Sequence, residues 1–347
     1  MKEIVALLIF IVCIESSASL TAPVAFTGQP ALQAWSTIYS NLDLSRPKFN
    51  VIGSGSGLSM NQTAAGTVDF GGTNIPIPDD FKFKDQIVQF PLLVSAMVIS
   101  ANVPGVKDGQ LVLSADIIAQ AYLTQKMKWN DQRIKDLNPE LNLPDLPIYP
   151  IGRADVAGTT ADLCEYLTST SAGLDHDQTY RSLFKEKFGS RATVPFGVLN
   201  ARDMGNMAAM IKQTKGALGY VDIVTADRGH LMNIGLVDDF GNKVFPTKSA
   251  ISAGVEKIKW TESSCSVSAT TGIVSASGAW PLLNPFYMIL SKNVALETRT
   301  EVQNFLDWER TSQDAEKASD ELGMKSLVGE FWPTISEKIF RDCFNKN

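Results

Sequence analysis

Three short segments of this 347-residue chain place glycines and hydroxyl-bearing residues where a strand would end and a helix would begin. They are Thr27-Gly28-Gln29-Pro30, Gly53-Ser54-Gly55-Ser56-Gly57 and Asp155-Val156-Ala157-Gly158-Thr159-Thr160, the last with Arg153 just ahead of it. The first turn of a helix has backbone N–H groups without intrahelical partners and a partial positive charge, so such junctions attract an oxyanion. Glycine lets an anion approach the main chain closely, Ser or Thr adds a donor, and Arg adds a forked, charged one. Pro30 suits a first helical position, where no N–H is needed. Each junction taken singly is equally a plain helix cap. The Gly53–Gly57 run lacks the Gly-Lys-Ser/Thr of a P-loop, the spacing of a dinucleotide fingerprint and the Gly-x-Ser-x-Gly of a nucleophile elbow.

Other chemistries find less support. His176 and His230 are the two histidines, they stand in polar surroundings far apart, and no His, Cys and carboxylate group has ligand spacing, so no metal or cofactor is expected. Asp69 and Asp155 sit at strand or turn ends, where carboxylates cap helices or pair with Arg. No general base lies near Ser54 or Thr159 in any recognisable motif, which argues against an enzyme. A net charge of −6 argues against a general nucleic-acid surface but not against a small anion held by local dipoles.

Met1-Lys2, the apolar run Ile4 to Ile14 and the small residues Ser16-Ser17-Ala18-Ser19 read as a signal peptide over residues 1–19, with cleavage near Ala18 or Ser19. Val12 stands where a lipoprotein signal at Cys13 needs a small residue. No later segment reaches 18 apolar residues, so the exported chain, periplasmic or secreted, is expected not to insert in a membrane. Of the remaining cysteines, Cys164 reads as a small helical filler, and Cys265 with Cys343 could form a bridge. Asn61-Gln62-Thr63 is a glycosylation sequon.

The elements that must position the three junctions alternate between short apolar strands and helical stretches, the pattern of an α/β fold. Strands are expected at Lys48–Ile52, Val68–Gly72, Pro147–Gly152 and Gly216–Val221, and a buried strand or a crossover at Gln89–Val98. A helix is expected from about Thr160, and amphipathic helices over Arg299–Glu321 and Ser326–Phe344.

In this order the motifs resemble the phosphate-specific solute-binding proteins of ABC importers. The resemblance is carried by Trp35, Ile52-Gly53-Ser54, Val68-Asp69-Phe70-Gly71, Gln89-Phe90-Pro91, Gly109-Gln110-Leu111-Val112-Leu113, Lys128-Trp129-Asn130-Asp131 and Leu137-Asn138-Pro139. It continues through Arg153-Ala154-Asp155, Gly158-Thr159, Gly216-Ala217-Leu218-Gly219-Tyr220-Val221, Ala279-Trp280-Pro281 and Phe305-Leu306-Asp307-Trp308. It implies a type II periplasmic-binding-protein fold, with two α/β lobes joined by two crossovers and the ligand cleft between them. One lobe would span 20–94 plus 286–347 and the other 95–285. The expected function is binding of inorganic phosphate or a similar oxyanion by a monomer, for delivery to an ABC permease.

Carried over by position, Ser54 matches the family's Gly-rich-loop serine, Arg153 its arginine, Gly158 an amide donor and Thr159 a hydroxyl. Asp155 matches the acid that braces the arginine, and Thr27 with Gly28 the N-terminal loop, with a one-residue shift. Two departures stand out. The family's ligand-facing acid is Asn74 here, and its Gly-Ser pair ahead of the glycine is Val156-Ala157. An ionised carboxylate accepts the proton of hydrogen phosphate and repels a proton-free anion, whereas an Asn amide can accept or donate. Weaker discrimination against sulfate, arsenate or a phosphoester is therefore expected. The hydroxyl missing at Ala157 predicts weaker binding, unless water or Thr160 takes its place. These departures keep a second reading open: a ligand-relaxed or ligand-free relative acting as a secreted scavenger or an adhesion module.

Overall fold

The computed structural model describes residues 19–155, 157–169, 179–189, 199–263 and 265–344. The expected leader (Ser19 apart), Cys13, Val156 and His176 lie outside the described residues. The chain opens with β1 (Ser19–Ala25), α1 (Gln29–Leu42), β2 (Lys48–Ser54), α2 (Ser56–Ala64) and β3 (Gly71–Thr73). β1 pairs in parallel with β2 along its whole length and with β3 on its other edge. Parallel neighbours need crossover connections, and α1 and α2 supply them. Each of these βα junctions therefore opens on the same edge of the sheet, at the carboxyl ends of β1 and β2.

The frame of the molecule is β4 (Ile87–Ala101), fifteen residues long and buried at every position. From Ile87 to Ala96 it pairs antiparallel with the strand Leu283–Ser291, which in turn pairs with β3. From Met97 to Ala101 its partner is the strand Ala217–Asp222. Beyond that lie Tyr149–Arg153 and Leu199–Ala201, both parallel. A near-continuous apolar run is what a strand covered on both faces requires, and Gln89 to Val98 is such a run.

Trp35, Trp129 and Trp280 are fully buried and fix elements to one another by indole N–H bonds. Their acceptors are Ala315 O with Ser319 Oγ, Gly216 O, and Met97 O. Gly216 has φ +85°, and a methyl group there would lie 2.4 Å from the Pro147 carbonyl, so glycine holds the start of the Ala217 strand against the approach to Tyr149–Arg153. Cys265 and Cys343 form a disulfide that ties the C-terminus to the segment beside β4, and Cys164 is buried in its helix outside that bridge.

The expected strand at Val68–Gly72 is shorter than its pattern and shifted, to Gly71–Thr73: Asp69 N donates to the Thr21 carbonyl, but the Thr21 N–H goes to the Asp69 carboxylate instead of a ladder carbonyl. The helix expected over Arg299–Glu321 is two, Leu296–Glu309 and Gln313–Glu321. Ser312 between them caps the second by accepting from Ala315 N. The stretch expected as one helix over Ser326–Phe344 changes winding at Pro333, passing from Val328–Pro333 into a π-type segment at Thr334–Ile339 and a last turn at Phe340–Asp342. A proline ring removes the i→i−4 bond that would keep the winding uniform.

Glu309 ends its helix buried, 3% exposed, with Oε2 unpartnered. Burial pushes its carboxyl from 4.5 up to about 7, Glu316 adds to the shift, and a bond with Ser326 opposes it. Between those values the folded protein keeps a proton that the unfolded chain releases, so stability falls as pH rises through the window and levels off above it. The full effect is about 3 kcal/mol. Glu309→Gln is expected to flatten this slope in denaturant unfolding measured from about pH 5 to about pH 8.

Candidate functional site

α1, α2 and the helix Gly158–Thr168 begin at the three junctions singled out in the sequence, and they share two features. Their cap residues, Gly28, Gly55 and Ala157, provide no side-chain bond to the first-turn amides, and no acidic residue lies in any of the three first turns. The helices starting at Ala115, Gln132, Met204, Ile223, Lys248 and Gln313 are instead closed by Ser114, Asp131, Asp203, Asp222, Thr247 and Ser312. The helices starting at Leu296 and Val328 also lack a side-chain cap, but each carries a glutamate in its first turn, Glu297 and Glu330, so only the three junction helices among these lack both. Their first-turn amides keep their capacity to donate, and the positive end of each dipole stays uncompensated.

The cavity there is lined by Thr27, Ser54, Asn74, Arg153, Asp155, Gly158 and Thr159, with Ser56, Met204 and neighbouring backbone completing the wall. Its volume is about 30 Å³, two to three times what one water needs and too little for a sugar or an amino acid. The Gly158 backbone closes it from one side, so near that a methyl group would sit 3.3 Å from Asn74 Cβ.

Within this space the donors are in excess. Thr27 Oγ1 and Thr159 Oγ1 are buried and have no partner at all, and Ser54 Oγ has only long contacts of 3.4 Å to the Val24 and Gly55 carbonyls. Arg153 is 2% exposed. It donates through Nε and Nη2 to the two oxygens of Asp155, at 2.7 and 2.6 Å. Its third nitrogen, Nη1, meets only the Met204 sulfur, at 3.7 Å, a weak acceptor. Asp155 thus fixes the guanidinium plane and leaves one charged donor for the cavity. Buried hydroxyls without partners each cost about 1–3 kcal/mol, so two of them beside a free guanidinium edge mark a site complementary to an oxyanion.

Gly28 stands behind the wall rather than in it. Its N–H donates to the Ala25 carbonyl at 3.1 Å, and the Phe286 ring fills the space beside its Cα. Thr160, expected as a stand-in for the hydroxyl missing at Ala157, pairs with Tyr220 Oη at 2.8 Å and does not reach the cavity. Ser56 was not singled out by the sequence reading. It lines the cavity and accepts from Asn74 N at 3.1 Å, fixing that residue against α2. Asn284 and Asp162 also escaped that reading: Asn74 Nδ2 donates to Asn284 Oδ1, and Asn284 Nδ2 to Asp162 Oδ2. Their spacings of 210 and 122 residues carry no sequence signal. His230 is exposed at a helix end, away from the cavity.

A sheet in two halves, joined through long buried strands and with helix N-termini facing a shared cleft, defines a two-lobed α/β binding protein. The PBP superfamily domain matches residues 14–309, and the chain belongs to that superfamily and, within it, to the family of the phosphate-binding PstS proteins. It is 30% identical over 327 residues to the phosphate-binding protein PstS of Haemophilus influenzae, covering 92% of each chain. Among solved structures it is similar to a high-affinity periplasmic phosphate-binding protein bound with phosphate, at TM-score 0.66 and 13% identity, over 95% of this chain and 99% of that one. An ABC-type phosphate transport receptor from Vibrio cholerae gives TM-score 0.53 at 16% identity, over 89% of this chain and 100% of that one. At these identities the structural likeness is one of fold.

The position of Gly28 yields a prediction. A methyl group there would lie 2.2 Å from Phe286 Cε2, a ring held in the core. Gly28→Ala is therefore expected to destabilise the protein by about 1–3 kcal/mol, read as a lowered denaturant midpoint with unchanged m.

Proposed function

We propose that this protein binds inorganic phosphate, or an oxyanion of the same shape, in the cleft between its lobes and delivers it to an ABC permease outside the cytoplasmic membrane, without transforming it. The observation that carries this reading is the convergence of two uncapped helix N-termini (α2 and the Gly158 helix), Arg153 Nη1 with only a thioether beside it, and two unpartnered hydroxyls on a cavity of one-ion size. Thr27, Ser54, Asn74, Arg153, Gly158 and Thr159 would contact the anion, with Asp155 orienting Arg153. The relatives named above are phosphate-binding proteins, and the match to the Haemophilus protein runs nearly end to end. No helix among the described residues is long and apolar enough to cross a membrane, in keeping with a protein that works in the periplasm or beyond.

The lobes are taken as 20–94 plus 286–347 and 95–285. In support, β4 changes partners between Ala96 and Met97, and the strand Leu283–Ser291 begins at the same line, opposite Ala96. A relative that had lost its ligand would have no cause to keep Thr27 and Thr159 buried and unpaired beside Arg153, so the ligand-free, adhesive alternative gains nothing from the site.

Phosphate is expected to raise the thermal midpoint of the protein, by an amount that grows with its concentration, as a ligand bound only to the folded state must. No shift with phosphate, arsenate, sulfate or molybdate would overturn the proposal. Thr27→Val and Thr159→Val each remove one unpaired hydroxyl at nearly constant volume. Each is expected to leave unliganded stability unchanged or higher while weakening phosphate binding roughly tenfold in titration calorimetry.

A further inference from the structure

We propose that Asp162, acting through Asn284, holds the Asn74 amide with its carbonyl toward the cavity, so that the closed cleft selects oxyanions carrying a proton over those carrying none. This rests on the reading of the cleft as an oxyanion site and names what that site selects.

A carboxylate has lone pairs and no hydrogen, so it accepts and cannot donate. The Asn284 group that meets Asp162 Oδ2 must therefore be its NH₂, which turns the Asn284 carbonyl the other way, toward Asn74. That carbonyl in turn requires the NH₂ of Asn74. Reversing either amide would set oxygen against oxygen. Asn284 is fully buried, so no water offers an alternative partner at low cost. The Asn74 backbone is fixed as well, by its N–H to Ser56 Oγ. With Nδ2 engaged, Oδ1 is the end of the Asn74 amide left without a partner, at a residue that lines the cavity. An amide, which by composition can accept or donate, is thereby made an acceptor.

Elsewhere the cavity offers first-turn amides, hydroxyls and the Arg153 edge. Hydrogen phosphate and hydrogen arsenate can present their O–H to the Asn74 carbonyl and their bare oxygens to the donors. Sulfate has no proton near neutral pH, so one of its oxygens would face the Asn74 oxygen with nothing between them. The weakened discrimination expected from Asn at this position is thus reversed by two residues distant in sequence. Asp162 lies one turn beyond Gly158 on the helix that also supplies Thr159, so the relay is complete only when that helix has closed on Asn74. Asp162 and Asn284 are positioning residues: they touch Asn74 or each other rather than the anion.

The test is calorimetric titration of phosphate and of sulfate into the wild-type protein and into Asp162→Asn, whose amide can turn either face to Asn284 and so frees the direction of the relay. The wild type is expected to prefer phosphate by at least about a hundredfold, and Asp162→Asn to lose about tenfold or more of that ratio. A role in folding alone would weaken both anions together and leave the ratio unmoved. Asn284→Ala cuts the relay in the middle without changing charge and is read in the same way should Asp162→Asn fail to fold. Adding Asn74→Asp to Asp162→Asn supplies an acceptor that needs no orienting, and the ratio is expected to return. A wild type that binds phosphate while the Asp162 or Asn284 variant keeps the full ratio overturns the relay alone. A wild type indifferent to both anions overturns the oxyanion reading and the relay with it.

Discussion

A buried donor must find an acceptor or lose stability, and this constraint organises the molecule. Over most of the fold it is met locally: indole N–H groups reach carbonyls, helix ends are capped by Ser, Thr or Asp, and Arg133 pairs with the buried Asp116. In the cleft it is left unmet on purpose of shape, with Thr27 and Thr159 unpaired and Arg153 Nη1 facing a thioether. Thr63 Oγ1 and Ser95 Oγ are also unpaired elsewhere, but in the cleft two such hydroxyls and a guanidinium edge fall together at the N-termini of α2 and the Gly158 helix, so one anion would meet amides, hydroxyls and guanidinium together. Such a site is worth little without its ligand and much with it.

The sheet makes this deficit tolerable. β4 and Leu283–Ser291 are buried along their whole lengths and paired with each other as far as Ala96, where β4 changes neighbours. That rigid middle carries Asn284, while the flanking β1, β2 and Tyr149–Arg153 carry the junctions. The donors are thus carried from both sides by strands of one buried sheet. Gly28 serves the same end by letting α1 approach the Phe286 ring, so its contribution is to packing and not to the wall.

The α/β class, the three junctions and most of the cavity wall were legible in the sequence because they are local. A glycine and a hydroxyl between a strand pattern and a helix pattern announce an open helix end over four or five residues. Arg153 and Asp155 sit two apart, close enough for the guanidinium pairing to be anticipated. What escaped was non-local or context-bound. Asn284 and Asp162 meet Asn74 only through the fold, and nothing in their own neighbourhoods marks them. Ser312 and Pro333 were within the helical patterns, but apolar spacing alone ran through the cap and the change of winding they impose. Gly28 resembled its neighbours by type, and only the Phe286 ring beside it reveals why glycine is needed there. Cys265 and Cys343 could be named as partners but not joined without the fold that brings them together.

The central claim is that the unpartnered donors of the cleft hold one oxyanion between them. A crystal structure of the protein grown with phosphate tests it most directly. The account predicts a single phosphate in this cavity, with oxygens within hydrogen-bond distance of Thr27 Oγ1, Thr159 Oγ1 and Arg153 Nη1 and of first-turn amides of α2 and the Gly158 helix. A phosphate bound elsewhere, with Thr27 and Thr159 still unpaired, would contradict it.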